Sequence, residues 1–274
     1  MFGRPRVEVK SPAELELMRA AGVVVHDALV LVREVAAPGM TTAALDAAAE
    51  RHIRAAGAVP NFLGYGDPPF PATTCISVND EVVHGIPGPR VLAEGDVVSV
   101  DCGAVVEGWH ADAAVTFTLG AVAPEVDELL GVTEEALWRG IAAVRAGGRV
   151  GEVSAAVQGY VEGAGDGYGI VRDYTGHGIG SALHQPPDVP NRGRASSGAR
   201  IVEGMALAIE PMVVLGGHET LTAADEWTEV TADGSLAAHF EHTGAVTASG
   251  PWVLTAADGG RARLESLGAR YGGP

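Results

Sequence analysis

The sequence predicts an α+β fold in which helices pack on one side of an antiparallel sheet. Three observations carry that prediction. Two helical stretches precede a strand-rich stretch, and the same order then recurs, so the chain reads as two halves of αα followed by β. The strand-rich stretches alternate apolar and polar residues with period two and are broken by short turn signals, the mark of antiparallel hairpins. Finally, 47% of the 274 residues are hydrophobic and only 19% charged, enough apolar surface for a core and too little charge for disorder. Aromatics are 5%, so that core is built mainly from Val, Leu, Ile and Ala. No Pro/Ser-rich linker or low-complexity tract divides the chain. Residues 1–274 therefore read as one domain, with a short amino-terminal segment over 1–10 and a carboxy-terminal tail over 256–274.

Each element has a local cause. Ser11-Pro12-Ala13-Glu14 opens the first helix: Ser11 caps, Pro12 suits the first turn and Glu14 completes a capping box. Leu15, Met18, Gly22, Val25, Leu29 and Val32 then recur every three or four residues as one buried stripe. Pro38-Gly39 ends it. A second helix runs from Thr42 to Ala56, stopping before Gly57. The Gly/Pro-rich segment from Asn61 to Thr74 is irregular. Val98, Val100 and Cys102 alternate with polar or small residues up to the turn Glu107-Gly108, and Ala111, Ala113, Val115 and Phe117 alternate beyond it, giving a hairpin. Helices over Pro124–Ala146 and Gly151–Glu162 follow. Strands close the chain over Ala206–Leu215, Trp227–Thr231 and Leu236–Val246, with a final short one at Trp252–Thr255.

Charge and cysteine content narrow the function. The net charge is −17 and Lys10 is the only lysine, which argues against general nucleic-acid binding. Arg4, Arg6, Lys10 and Arg19 read as a solvated surface. Two cysteines, Cys75 and Cys102, make no disulfide framework and suit a reducing cytoplasm. No apolar run reaches the ~18 residues of a membrane span, and the amino terminus lacks a signal-peptide core.

The chemistry sits on carboxylates in apolar strands. Across the Glu107-Gly108 turn Asp101 lies opposite Asp112 or one pair away, and parity puts both on one sheet face either way. Like charges held that close need compensation. A solvated face is one reading; a divalent cation, for which carboxylate oxygens are natural ligands, is the sharper one. Downstream, His177 stands among glycines in Gly176-His177-Gly178-Ile179-Gly180, and His184 follows seven residues later. Glu210 and Glu241 each interrupt an apolar run, where an unpaired carboxylate is costly to bury. Four carboxylates and one histidine thus converge, with formal charge to balance two divalent ions.

With these residues in view, the chain resembles the type I methionine aminopeptidases, in the bacterial form without an amino-terminal extension. The resemblance runs from about Ser11 to Thr255. It rests on Val83-His84-Gly85-Ile86-Pro87, on Asp101 followed eleven residues on by Asp112, on the Gly176–Gly180 motif, on Ile209-Glu210-Pro211 and on Phe240-Glu241-His242-Thr243. It implies the pita-bread fold, two pseudo-two-fold halves around a dinuclear metal site. It implies that Asp101, Asp112, His177, Glu210 and Glu241 bind two divalent metal ions, with Asp112 and Glu241 bridging. Mn, Co or Fe suit the carboxylate-rich set, and Zn or Ni are alternatives. Glu210 is implied as the proton carrier, His184 as a donor to the substrate carbonyl and His84 as a partner of the scissile nitrogen. Cys75, Tyr65, Phe70, Leu183 and Trp227 match the methionine pocket, Cys75 lying nine residues before His84. Extra residues in the loop Gly64–Pro71 set Tyr65 and Phe70 apart from the family pattern. Cys102 is read as packing, His239 as a neighbour of Glu241 on the same strand face, and His242 as surface or packing.

The implied activity is metal-dependent excision of amino-terminal methionine from nascent proteins and peptides with a small second residue. A monomer in the cytoplasm is expected, with the ribosome a candidate contact and no membrane. Two alternatives stand beside it. An X-Pro aminopeptidase or dipeptidase of the same fold would carry a further amino-terminal domain, whereas about ten residues precede the first helix here. An inactive binding protein of this fold would have lost ligands, and none is missing.

Overall fold

The computed structural model describes residues 7–274, so Arg4 and Arg6 lie outside the described residues. Helix α1 (Pro12–Val35) begins as expected: the Ser11 hydroxyl accepts from the Glu14 amide, and the Glu14 carboxylate accepts from the Ser11 amide at 2.7 Å. The whole predicted stripe is buried. Gly22 belongs to it for a steric reason. A Cβ there would sit 2.2 Å from the carbonyl oxygen of Leu254. A mid-helix glycine costs about 1 kcal/mol relative to alanine, and close approach of the carboxy-terminal segment is what requires it here. Helices α2 (Thr42–Ala55), α3 (Pro124–Ala142), α4 (Val150–Ala164) and α5 (Arg261–Ser266) complete the set. The third helix stops four residues short of Ala146, because the chain there turns so that the Gly147 amide can donate to Ile201.

Lys10 and Arg19 are not solvated. Lys10 is 4% exposed and pairs with Glu8 at 3.3 Å, while the Arg19 guanidinium donates to the carbonyls of Leu254, Ala256 and Ala257. Arg19 thereby ties α1 to the carboxy-terminal segment, while Lys10 makes a local, largely buried pair, uses that charge counting cannot reveal. Residues 256–274, read as a tail, carry α5, whose Leu264 is fully buried in the core.

Among the described residues the central sheet has nine strands. Val97–Val106 and Trp109–Thr118 form the predicted hairpin, with Glu107 and Gly108 both at positive φ in its turn. The strand Glu241–Val246 pairs with Trp109–Thr118 on one side and with Ala206–Ile209 on the other, and Gly176–Gly178 then pairs with Ala206–Ile209. Helices α1 and α2 cover one core cluster and α3 and α4 another, one behind each half of the sheet. Cys102 packs in the first of these.

Two predicted strands are each split. Ala206–Leu215 breaks at Glu210-Pro211, where proline has no amide to donate, and resumes in a second sheet as Met212–Val214. Leu236–Val246 breaks at Phe240, with Ala237–His239 joining that second sheet. Both breaks fall beside a glutamate of interest. Trp227–Thr231 shortens to Glu229–Thr231, because the amides of Trp227 and Thr228 turn inward to the Asp225 carboxylate.

Candidate metal centre

Strand register alone assembles five polar side chains on one face. Ala114 stands between Asp101 on one neighbouring strand and Glu241 on the other. Asp112, two residues from Ala114, opposes Gly103 and therefore shares the face; it sits one pair away from Asp101, the second of the two registers expected. His177 pairs with Ala208, two residues before Glu210, so both project the same way. Gly176 and Gly178 allow this: a Cβ on either would meet a carbonyl oxygen of an adjoining strand at 2.3 or 2.4 Å.

His177 has a fixed tautomer. Its Nδ1 lies 2.9 Å from the Gly178 carbonyl oxygen, which can only accept, so Nδ1 carries the hydrogen. The lone pair of Nε2 then faces the carboxylates, 3.5 Å from Glu210 Oε1 and 3.7 Å from Asp112 Oδ2. One ligand atom from each of Asp112, His177 and Glu241 lies within 4.8 Å of the others. Thr243, two residues beyond Glu241 on the same strand face, donates its hydroxyl to Asp112 Oδ1 at 2.9 Å. His239 places Nε2 3.7 Å from Glu210 Oε2, although the break at Phe240 removes the strand parity with Glu241.

Burial pushes the carboxyl groups of Asp101, Glu210 and Glu241 well above the usual range, and their mutual repulsion adds to it. Burial also raises Asp112, against the pull of His184 and Thr243. Burial lowers His84 and His177 to about 4 and His239 to about 3; His184, at the rim, is lowered to about 4 by desolvation of the side that faces the cavity and by the neighbouring His177. These rings are neutral at pH 7, free to offer a lone pair or a single N–H. Burial and the nearby Asp101 raise the Cys75 thiol, which leaves it protonated and no nucleophile.

All twelve candidate residues line one cavity of about 120 Å³, with Phe62 as a further wall residue. The carboxylates and His177 form its floor. Phe70 and Trp227 meet edge to face at 5.1 Å, and Cys75 and Leu183 are buried beside them. Tyr65 stands at the rim, 39% exposed, and turns its hydroxyl to His184 Nδ1 at 2.5 Å instead of lying in the apolar wall. His84 takes a left-handed backbone, φ 61°, and packs its ring on Tyr174 and Trp227. Such a conformation costs about 1–3 kcal/mol and is characteristic of functional sites. Phe62 and Tyr174 carried no sequence signal beyond being aromatic in irregular segments. Thr243 carried one, its parity with Glu241. A wider hollow of about 630 Å³ lies on the helix side between α1 and α3. Its His242 is held by the Thr255 hydroxyl and packed on Trp138, a structural role.

The donor set fits a divalent metal. Asp101 Oδ1 and Glu241 Oε1 are buried without a hydrogen-bond partner among the described residues. Orphaned carboxylate oxygens are costly to bury, and a hard cation is their natural complement. Oxygen donors joined by one neutral imidazole make a site for a divalent ion.

A buried carboxylate–histidine floor, an apolar pocket beside it and this sheet together define a metallopeptidase. The chain belongs to metallopeptidase family M24, whose sequence profile matches residues 16–248. Within that family its place is with the methionine aminopeptidases. It is 48% identical to the methionine aminopeptidase of Clostridium acetobutylicum, over 90% of this chain and 98% of that one. It is 49% identical to methionine aminopeptidase 1 of Mycobacterium tuberculosis, over 92% and 96%. The crystal structure of the Thermotoga maritima methionine aminopeptidase superposes with a TM-score of 0.88 at 43% identity, covering 91% of this chain and 99% of that one. The prolidase of Pyrococcus furiosus shares the pita-bread fold at a TM-score of 0.71, with 21% identity, and this chain spans 65% of its length. Among the described residues no helix is long and apolar enough to cross a membrane.

Proposed function

We propose that this chain removes the amino-terminal methionine from peptides and nascent proteins with a small second residue, using two divalent metal ions. The observation that carries the reading is one cavity whose floor is a buried carboxylate–histidine set and whose wall is Cys75, Phe70, Leu183 and Trp227. Asp101, Asp112, His177, Glu210 and Glu241 would hold the ions. When bound, such a pair supplies Lewis acidity, lowering the pKa of water towards 7 and polarising the carbonyl of the first peptide bond.

The chain's own residues do the rest. Glu210 takes a proton from the attacking water on a carboxylate oxygen and returns it to the leaving amine. His184 donates to the carbonyl oxygen as negative charge develops there, and His84 donates to the scissile nitrogen. The pocket suits a thioether, because sulfur gains from contact with aromatic edges. A methylene difference is worth only about 1–3 kcal/mol, so discrimination against norleucine is modest. Alanine leaves the pocket empty, and lysine brings an unpaired charge into it.

Cleavage of Met-Ala-Ser beside an X-Pro peptide, with Mn, Co, Fe and Zn in parallel, tests the reading; turnover of the X-Pro peptide alone would overturn it. Cys75 and Cys102 project to opposite faces of paired strands and are free thiols, which supports a reducing cytoplasm as the working compartment.

Two expected results follow from the pocket and the floor. Cys75→Phe fills the pocket, so KM for Met-Ala-Ser rises or turnover is lost while metal content is unchanged. Unaltered kinetics would remove Cys75 from the pocket. Metal binding also releases protons. The metal-free carboxyl groups keep protons above the usual carboxylate range, and ligation requires them ionised, so affinity rises as pH rises through those raised values. The histidines are already neutral and release none. Calorimetric titration in buffers of different ionisation enthalpy measures this, and a heat independent of buffer contradicts it.

A further inference from the structure

Tyr65 was expected in the apolar wall, yet its hydroxyl bonds to His184 Nδ1. The two rings meet edge to face, with centroids 5.1 Å apart. The loop that carries Tyr65 is pinned on both sides of it: the Tyr65 amide donates to Phe62, the Phe70 amide donates to the Tyr65 carbonyl, and Gly64 donates to Phe70. The hydroxyl is therefore delivered by a braced loop.

We propose that Tyr65 is a positioning residue: its hydroxyl donates to Nδ1 of His184, fixing the tautomer whose Nε2–H is presented to the substrate.

The argument is one of hydrogen-bond supply. A neutral imidazole has one donor and one acceptor nitrogen, and the partner of one sets the role of the other. The tyrosine hydroxyl carries the one hydrogen it can donate, and among the described residues Nδ1 is its only hydrogen-bond partner, so the short contact pairs that hydrogen with an Nδ1 lone pair when the ring carries its own hydrogen on Nε2. Burial keeps the phenol protonated, so that hydrogen stays available. Nε2 has no hydrogen-bond partner among the described residues. His177 is set the opposite way by the Gly178 carbonyl, with Nδ1–H and a bare Nε2. Two histidines whose rings lie 4.3 Å apart are thus held in opposite tautomers by different partners, one as a lone-pair donor and one as a hydrogen donor.

The inference rests on the reading of His184 as the donor to the substrate carbonyl, but its test is separable from that reading. The zinc-loaded protein, labelled with 15N-histidine, is examined by long-range 1H–15N correlation, with His184→Ala assigning the ring. The expected spectrum shows a pyridine-like Nδ1 and a pyrrole-like Nε2 for His184, and Tyr65→Phe shifts that ring towards a mixture of tautomers. A pyrrole-like Nδ1 in the unaltered protein, or a ring unmoved by Tyr65→Phe, overturns the inference. In kinetics with Met-Ala-Ser, Tyr65→Phe lowers kcat by about tenfold, the scale of one neutral hydrogen bond, with KM nearly unchanged. It has no further effect in a His184→Ala background. A KM effect of equal size in both backgrounds returns Tyr65 to the pocket wall and also overturns the inference. The expected spectra with no cleavage of any methionyl peptide would support the positioning role while defeating the proposed reaction.

Discussion

Asp101→Asn and Glu241→Gln each lose most bound metal and most activity, with the fold retained. Both side chains carry an oxygen that is buried and unpartnered among the described residues, and both are pushed towards protonation by burial and by their neighbours. Replacing a carboxylate by its amide keeps the shape and removes a charge that only a cation offsets. The folded chain therefore tolerates the change, and the metal does not. Outer-shell partners alone are worth about 10–100-fold in metal affinity, so losing a direct ligand should exceed about 100-fold. Metal analysis together with circular dichroism checks both halves of the expectation. Full occupancy in both variants would remove these residues from the ligand set.

His184→Ala lowers kcat by about 10²–10³, the loss seen when one donor to a developing oxyanion is deleted, and leaves metal content unchanged. His177→Ala does the reverse, losing metal first. The two rings are close neighbours, but their surroundings differ. The Nε2 lone pair of His177 is turned to Asp112 and Glu210, while His184 stands at the exposed rim of the cavity beside Tyr65. Metal analysis and steady-state kinetics on both variants separate the roles. Metal loss in His184→Ala with retention in His177→Ala would mean the roles are exchanged.

Much of this site is legible in the sequence because it depends on parity. A two-residue turn at Glu107-Gly108 commits Asp101 and Asp112 to one face whichever of the two registers forms, and the hairpin is formed as read. Glu210 and Glu241 stand out because a carboxylate in an apolar run needs a reason. The five motifs that carry the family resemblance name the remaining members. What escaped has physical causes. Each of the two strands holding these glutamates reads as one continuous apolar run, yet each changes sheet at the site, which period-two patterning cannot show. The direction of the Tyr65 hydroxyl depends on an irregular loop braced by its own backbone hydrogen bonds, which leaves no periodic signal. Lys10 and Arg19 look like surface charge, because their partners are backbone carbonyls and Glu8, not a recognisable motif.

The contact between α1 and the segment around Leu254 bears on how the chain reaches this state. Arg19 and the Leu254 carbonyl it binds are 235 positions apart, and Gly22 is shaped to receive that same carbonyl. During synthesis α1 is complete more than two hundred residues before its partner segment exists. Closing so long a loop precedes any reward from the contact, and topologies dominated by such contacts fold slowly. Val25, Leu29 and Val32 of α1 are covered by the first half itself, whereas the turns around Leu15, Met18 and Gly22 stay uncovered on one side until the segment around Leu254 is available. That face is a natural place for a chaperone to hold the growing chain, and for aggregation to begin when nothing does.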